Sequence, residues 1–167
     1  MEAFTEKQNF LKGWWMIMVP GLLLAFFVPL AIGLKDTGDI TQLLTSAGVF
    51  VAVIGLFAFL TLSSRIDETG LTMKFTFQLK PLFISWNDVK RVELGKYNPV
   101  FEYGGWGYRR GLLRKKMAYN VAGRTGLKIT LSDDRIVLLG TQESSGMHQY
   151  LQYIKDKYHI AALTDLQ

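Results

Sequence analysis

GWWMIMVPGLLLAFFVPLAIGL, residues 13–34, contains no charged side chain, and LLTSAGVFVAVIGLFAFLTLSS, residues 43–64, repeats this pattern after a short polar break. Each run is 22 residues long. As an α-helix, a run of that length extends for about 33 Å, because each residue adds about 1.5 Å. The hydrocarbon core of a bilayer is about 30 Å thick. The two runs therefore predict a two-helix transmembrane hairpin with spans 13–34 and 43–64.

The charges that flank these runs predict an orientation. Lys7 and Lys12 precede the first run and Arg65 follows the second, whereas the turn between the runs offers a single lysine beside two aspartates. Cytoplasmic segments carry the excess of Lys and Arg, and aromatic residues collect at the membrane interface. Trp14, Trp15 and Arg65 are therefore the predicted interface residues. The pattern predicts an integral inner (cytoplasmic) membrane protein with two spans and both termini in the cytoplasm.

Composition divides the chain at about residue 64. Residues 1–64 hold three Lys/Arg and four Asp/Glu, and residues 65–167 hold sixteen and ten, so the basic excess of +6 belongs to the second part. Neither uncharged run contains His, which argues against a proton relay or ion pathway. The chain has no cysteine, which excludes disulfides, thiolate zinc sites and thiol catalysis. Two domains are predicted: an N-terminal segment with the hairpin at 1–64, and a second domain at 65–167.

The second domain is predicted to be mostly β. Residues 71–77 (LTMKFTF) alternate apolar and polar side chains, which is typical of a half-buried strand. Further short runs are separated by turn residues, which gives seven strands in all. A final helix is predicted from Ser144 or Ser145 to about Tyr158. Its apolar positions recur on one face and include Leu151 and Ile154. With Trp86, which alternates with Leu82 and Ile84, these two residues are the predicted structural core.

Several phrases in this domain resemble one known family. They are PLFISWNDV (81–89), YGGWGYR (103–109), YNVAG (119–123) and LGTQ (139–142). They resemble the bacterial pleckstrin-homology-like (bPH) domain family of membrane proteins, which is largely uncharacterised. The resemblance implies a two-helix transmembrane hairpin followed by an all-β pleckstrin-homology-like domain with a C-terminal α-helix. Small members of that family join one such domain to a pair of membrane spans, so the resemblance covers nearly the whole chain.

The richest candidate site is the segment YGGWGYRRGLLRKK at 103–116. Guanidinium groups match phosphate geometry, and Trp and Tyr rings settle at headgroup depth, so this composition suits an anionic lipid surface. The alternative is a strand-connecting loop with solvated bases and a Trp106 that packs on the sheet. Both interpretations stay open. The candidate lipid- or partner-binding residues are Tyr103, Trp106, Tyr108, Arg109, Arg110, Arg114, Lys115 and Lys116.

The residues give little support for other site classes. In the wider pleckstrin-homology family a Lys and an Arg of the first hairpin clamp lipid phosphates, whereas here residues 67–70 read DETG, which would repel them. His148 and His159 are not in a metal-ligand spacing, and no nucleophile–base pair is visible. We therefore expect no catalytic residues, no metal and no cofactor, and we expect a protein that is not an enzyme.

These observations lead to two functional hypotheses. The first is a membrane-anchored binding or scaffolding module whose cytoplasmic domain contacts a protein partner, with anionic lipid as a further candidate ligand. The alternative is an accessory subunit that stabilises a membrane enzyme or transporter complex through its spans. The expected partners are the lipid bilayer and an unknown membrane or cytoplasmic protein; a homo-oligomer stays open, and nucleic acid is not expected because no such motif is present.

Overall fold

A computed structural model describes residues 2–10, 20–24, 26–28, 30–31, 33, 40–110 and 115–163. The chain forms two compact units. One unit combines Met1–Gln8 with Thr61–Gln167, and the other is Asn9–Leu60. The first few residues thus belong to the same unit as the C-terminal two thirds of the chain, although more than fifty residues separate them in sequence.

The described residues of the larger unit form two sheets and a C-terminal helix. The first sheet has the strand order β1-β2-β3-β4, and the second has the order β5-β8-β9-β7-β6. The strands are β1 (Phe4–Asn9), β2 (Thr61–Ile66), β3 (Gly70–Phe75), β4 (Leu82–Ser85), β5 (Val89–Lys96), β6 (Gly107–Arg110), β7 (Lys116–Asn120), β8 (Thr125–Leu131) and β9 (Ile136–Gly140). The helices are α1 (Ile40–Phe59, in the other unit), α2 (Pro99–Tyr103) and α3 (Ser144–Tyr158).

Alternation of side chains builds the first sheet. On β2 the inward positions are Leu62, Ser64 and Ile66, and the positions between them face solvent. The antiparallel partner β3 places Phe75, Met73 and Leu71 opposite these three residues. All of the apolar members of this set are fully buried. A period of two is the pattern that a sheet with one covered face requires.

The second sheet contains a parallel pair at its centre. Strand β7 runs parallel to β9, whereas β8 pairs antiparallel with both β5 and β9. The chain passes from β7 to β8 across β9, and the backbones approach closely at Gly140. A Cβ at Gly140 would lie 2.8 Å from Asn120 Cβ, so a side chain does not fit there.

The two sheets meet where the rings of Phe75 and Tyr119 stack, with centroids 6.1 Å apart.

Strand β1 is held by two buried polar side chains. Glu6 is 7% exposed, and its carboxylate accepts hydrogen bonds from Thr141 Oγ1 at 2.7 Å and from the Gln142 backbone N at 2.8 Å. Gln8 is 1% exposed, and its Nε2 donates to Gly140 O at 2.7 Å. These bonds connect the first strand of the unit to the segment between β9 and α3. Buried polar groups need such partners, because an unpaired one is costly to desolvate.

Helix α3 covers the unit with the apolar stripe that its sequence predicts. Met147, Leu151 and Ile154 are fully buried, and Tyr150 is 6% exposed. The Tyr150 ring lies 6.3 Å from that of Phe4 on β1. Lys155 and Lys157 occupy the last turn, where a positive charge interacts favourably with the helix dipole.

Trp86 is 7% exposed and lies in a short 3₁₀ turn (Trp86–Asp88) between β4 and β5. Its indole Nε1 donates to Asp67 O at 2.8 Å. The ring is therefore buried, as are Leu151 and Ile154, but Trp86 follows strand β4 instead of ending it. Burial of an aromatic ring with its one polar atom bonded is favourable, because no donor is left without a partner.

The smaller unit shows that the predicted transmembrane hairpin is wrong. Throughout the part of the chain that the structure describes, no helix combines the length and the apolar character needed to cross a membrane. The prediction of a two-span protein of the inner membrane with both termini in the cytoplasm depended on this hairpin, and it is therefore also wrong. Residues 13–19 of the first predicted span, with Trp14 and Trp15, lie outside the described residues, and residues 20–24 and 26–28 are helical.

The error has a physical origin in the second uncharged run. Helix α1 ends at Phe59, and the last residues of the run form β2, because Leu62, Ser64 and Ile66 alternate with polar positions. Near its start the helix carries Thr41, Thr45 and Ser46. The unbroken apolar part, 47–59, covers 13 residues. That is about 20 Å of helix, against a hydrocarbon core of about 30 Å. Absence of charge over the run therefore overstated the length of continuous apolar helix.

We expect Glu6→Ala to lower the free energy of unfolding by about 2–3 kcal/mol, because two hydrogen bonds to a buried carboxylate are lost and Thr141 Oγ1 loses its acceptor. Urea denaturation followed by circular dichroism measures the change. Glu2→Ala removes the same charge from an exposed position of the same segment and should change the unfolding free energy by less than about 0.5 kcal/mol. Equal effects of the two substitutions would show that the buried hydrogen bonds do not stabilise β1.

Candidate binding surfaces

The predicted basic segment contains the edge strand of the second sheet. Strand β6 pairs with β7 on one side, and Arg109 and Arg110 lie opposite Ala118 and Met117. Successive side chains of a strand point to opposite faces of the sheet. Arg109 and Arg110 are both exposed but therefore lie on different faces. The structure thus divides the predicted basic cluster between two sides of one strand, which sequence spacing alone did not indicate.

Trp106 and Arg109 are tied to the local backbone. The indole Nε1 of Trp106 donates to Gly123 O at 3.2 Å, and Arg109 Nε donates to Trp106 O at 3.2 Å. The chain reaches this position through a sharp reversal after α2, where Gly104 adopts a left-handed conformation with φ 74°. Only glycine takes that conformation without strain. Trp106 is half-buried, and its contact with Gly123 holds the turn against the β7–β8 loop.

Tyr108 belongs to an aromatic cluster on the other face of β6. Its ring centroid is 5.0 Å from Tyr119 and 6.5 Å from Phe77. Burial raises the pKa of Tyr119, and a hydrogen bond from Gln78 Nε2 to its hydroxyl opposes that shift. At the surface the cluster ends in Phe77, which is 58% exposed. Arg110 shares the face of Tyr108, so a cation lies beside exposed apolar groups.

Tyr103 lies at the end of α2 and packs on the opposite face of the same sheet. It contacts a small buried cluster of Tyr97, Ala118 and Leu138. Its ring meets that of Tyr97 edge to face, with centroids 5.9 Å apart. Burial, with the nearby negative charge of Glu102, raises the pKa of Tyr103 to about 12. Tyr103 therefore packs on the face of the sheet that Arg109 shares, where it is partly buried.

The basic segment is not neutralised by neighbouring acids. Residues 103–132 contain no Asp or Glu and seven Lys or Arg. Among the residues described, none of Arg109, Arg110, Lys115 and Lys116 forms an ion pair. Lys115 and Lys116 are exposed at the start of β7. Arg114 lies outside the described residues. The structure thus places two of the predicted cations on the edge strand β6 and two at the start of the adjacent strand β7.

Arg65, which sequence analysis assigned to a membrane interface, is an exposed residue of β2. Its Nε donates to Asp67 Oδ2 at 3.1 Å. Partial burial by itself would raise the pKa of Asp67, but hydrogen bonds donated by Thr69, Arg65 and Gly70 outweigh it and hold the pKa below its usual value. The turn at 67–70 is thus organised around an ionised carboxylate.

Two further concave regions were not predicted from the sequence. One is a cleft of about 300 Å³ between β4 and the second sheet, with Ile84 and Val137 inside it and Asp133 and Arg135 paired at its rim. The other is a groove of about 430 Å³ on the outer face of the first sheet, lined in part by Lys7, Arg65 and Lys74. The sequence carried a signal for the groove in the alternating polar positions of β1, β2 and β3.

No family model, no curated protein and no solved structure matches this chain. The resemblance to the bacterial pleckstrin-homology-like family therefore stays a prediction. The described strands of this chain form two sheets, and residues 4–9 contribute a fourth strand to the first of them.

We expect the free energy of unfolding to fall as the pH rises from about 10 to about 12, in part because of Tyr103. The folded state holds this phenol protonated up to a pKa of about 12, whereas an unfolded tyrosine ionises near 10. Over that window the folded state binds more protons, so stability decreases with pH. Tyr103→Phe keeps the ring and cannot ionise, so its decline should be shallower. The measurement is urea denaturation at a series of pH values. Parallel curves for the two proteins would contradict this assignment.

Proposed function

We propose that this chain is a binding module that recognises an acidic, extended segment of a protein partner along the edge strand β6. The observation that carries the proposal is an edge strand whose cations are not neutralised. Strand β6 ends the order of the second sheet, so one side of its backbone pairs with no described strand. An extended peptide can add to such an edge, where main-chain hydrogen bonds supply affinity and side chains supply specificity.

The charges of the edge select an acidic partner. Arg109, Arg110, Lys115 and Lys116 form no ion pair within the described part of the chain. Each pair that they form with a partner carboxylate at an exposed rim contributes about 0.2–1 kcal/mol. Four such pairs would together contribute about 0.8–4 kcal/mol, and the middle of that range exceeds a tenfold change in affinity, since about 1.4 kcal/mol corresponds to a factor of ten. Clustered charge also raises the rate of encounter.

The alternation of β6 fits an extended segment better than a helix. A strand added to this edge would present its own side chains alternately to the two faces of the sheet. Arg109 is available to acidic groups on one face and Arg110 to those on the other. A helix, in contrast, would present its acidic face to one side only. The geometry therefore favours a partner segment with carboxylates on both faces.

The apolar groups beside the edge supply an anchor. The rings of Tyr108 and Phe77 lie on the face of Arg110 with centroids 6.5 Å apart, and Phe77 is 58% exposed. Tyrosine and arginine are enriched among the residues that dominate protein interfaces. An exposed apolar patch next to cations is typical of a protein-binding surface. The alternative function, an accessory subunit that acts through its membrane spans, depended on the hairpin that the structure corrects.

We expect the whole chain to bind an extended peptide that alternates Glu with Val, and to bind the Lys–Val peptide of equal length at least tenfold more weakly. Fluorescence anisotropy at low and high salt measures both affinities, and the difference should shrink as salt screens the charges. Substituting Gln for Arg109, Arg110, Lys115 and Lys116 should weaken binding of the acidic peptide at least tenfold. A control with the same change in charge replaces Lys90, Lys96, Lys155 and Lys157 by Gln.

Equal weakening in the two variants would contradict the proposal, because net charge would then explain the binding. Chemical shifts of the β6 amides, followed by NMR during titration, test strand addition separately. Binding of anionic vesicles without binding of the acidic peptide would assign the edge to lipid and would overturn the proposal.

A further inference from the structure

The two sheets leave an opening between them, which we call the inter-sheet cleft. It lies between β4, the last strand in the order of the first sheet, and the strands β7, β8 and β9 of the second. Its volume is about 300 Å³, at the lower end of the range for small-molecule sites, about 300–1,000 Å³. A water-sized group occupies about 30 Å³, so the cleft accepts on the order of ten non-hydrogen atoms. The apolar side chains that line it from the core faces of the sheets are Leu82, Ile84, Met117, Leu131 and Val137.

Strand pairing makes this apolar wall a continuation of the core. Ile84 of β4 lies opposite the fully buried Leu71 of β3, and Met117 of β7 lies opposite the fully buried Val137 of β9. Ile84 and Met117 are still 5% and 9% exposed, since no described strand continues the first sheet beyond β4. An apolar group that enters the cleft therefore shields core side chains from water and is itself removed from water, which is favourable in proportion to the buried area.

Two turns form the rim of the cleft and are fastened to each other. The backbone N and the Oγ of Ser132 both donate to Asp88 O, at 2.9 and 3.2 Å. Asp133 and Arg135 complete the rim, and Arg135 Nε donates to Asp133 Oδ2 at 2.6 Å. A hydrogen bond from the Arg135 backbone N, with the bond from its side chain, holds the pKa of Asp133 below its usual value. This pair is therefore ionised at neutral pH, and its two charges compensate each other.

Asp88 carries the charge of the rim that is not compensated. Within the described part of the chain its carboxylate forms no ion pair. Lys90, two residues further along, pairs instead with Asp134, at 3.0 Å. The two lysines at the start of β7 do not line the cleft. The cleft therefore combines an apolar wall with a rim of net negative charge, which favours a cation over an anion.

We propose that the inter-sheet cleft binds a small molecule in which a short apolar chain ends in a protonated amine. The chain lies against the apolar wall, and the ammonium group pairs with Asp88. An ammonium group has three N–H donors, and Ser132 Oγ and the Asp133 carboxylate are further acceptors at the rim. An anionic group would meet two carboxylates and an arginine that Asp133 already engages. This site is separate from the β6 edge and does not depend on the function proposed there.

The test is titration of the whole chain with hexylamine, 1-hexanol and hexanoate, followed by NMR of the methyl groups. The three probes share an apolar chain and differ in charge. We expect the methyl resonances of Ile84, Met117 and Val137 to shift on addition of hexylamine. Hexylamine should bind severalfold more tightly than 1-hexanol, because only its ammonium group pairs with the exposed Asp88 carboxylate. Hexanoate should bind more weakly than 1-hexanol.

Three variants separate the charge from the space. Asp88→Asn removes the charge and keeps the shape of the side chain, so it should lower the affinity for hexylamine to that for 1-hexanol and leave binding of 1-hexanol unchanged. The matched control Asp156→Asn removes the same charge from an exposed position of α3 that does not line the cleft, and it should bind hexylamine like the unmodified chain. Leu82→Trp fills the cleft from a partly exposed position and should weaken binding of both probes at least tenfold.

Circular dichroism verifies that the variants fold, and Asp88→Asn tests the site even where Leu82→Trp does not fold. Four results would each overturn the proposal: no shift of the three methyl groups, equal affinity for hexylamine and 1-hexanol, tighter binding of hexanoate than of hexylamine, or equal weakening by Asp88→Asn and Asp156→Asn. The Asp88→Asn variant should keep its affinity for the acidic peptide, so failure of the cleft and failure of the β6 edge are recognised separately.

Discussion

The docking of β1 is the interaction on which the larger unit depends. Glu6 and Gln8 are almost completely buried; Gln8 bonds to the last residue of β9, and Glu6 bonds to the segment that follows it. A buried carboxylate without partners would be strongly destabilising, so the strand can occupy this position only when Thr141 and Gln142 are in place. Once docked, β1 adds an edge to the first sheet and supplies Phe4 to the ring of Tyr150 on α3.

The side chains of β1 alternate between the buried and the exposed face of the first sheet, so the same strand contributes to the core and to the outer surface. The inward-facing side chains of β1 bond to the rest of the unit. Its outward-facing side chains Thr5 and Lys7 line the groove on the outer face of the first sheet. At the other end of the unit, β6 uses the same alternation to place Arg109 and Arg110 on different faces. These two surfaces therefore arise from local strand geometry, and each is positioned by a sheet that the core holds rigid.

The sequence predicted much of the β unit, because its patterns are local. The alternation at 71–77 corresponds to β3, and the apolar stripe of the last helix corresponds to the buried face of α3. The uncharged runs misled because lack of charge does not distinguish a membrane helix from a shorter helix followed by a strand. Residues 4–9 contain Glu6 and Gln8, which composition places at a surface, and only Thr141, Gln142 and Gly140 far along the chain explain their burial.

That distance in sequence also explains why the groove was not predicted. The bonds of Gln8 and Glu6 join residues 132 to 136 positions apart. Contacts of such separation pay a large loop-closure entropy and form after local structure. We therefore expect strand β1 to complete the first sheet after β9 and the start of α3 have folded. Before that step Arg65 and Lys74 are present on β2 and β3, but Lys7 is not beside them. A groove with cations on three strands is thus a property of the finished unit and of no single segment of its sequence.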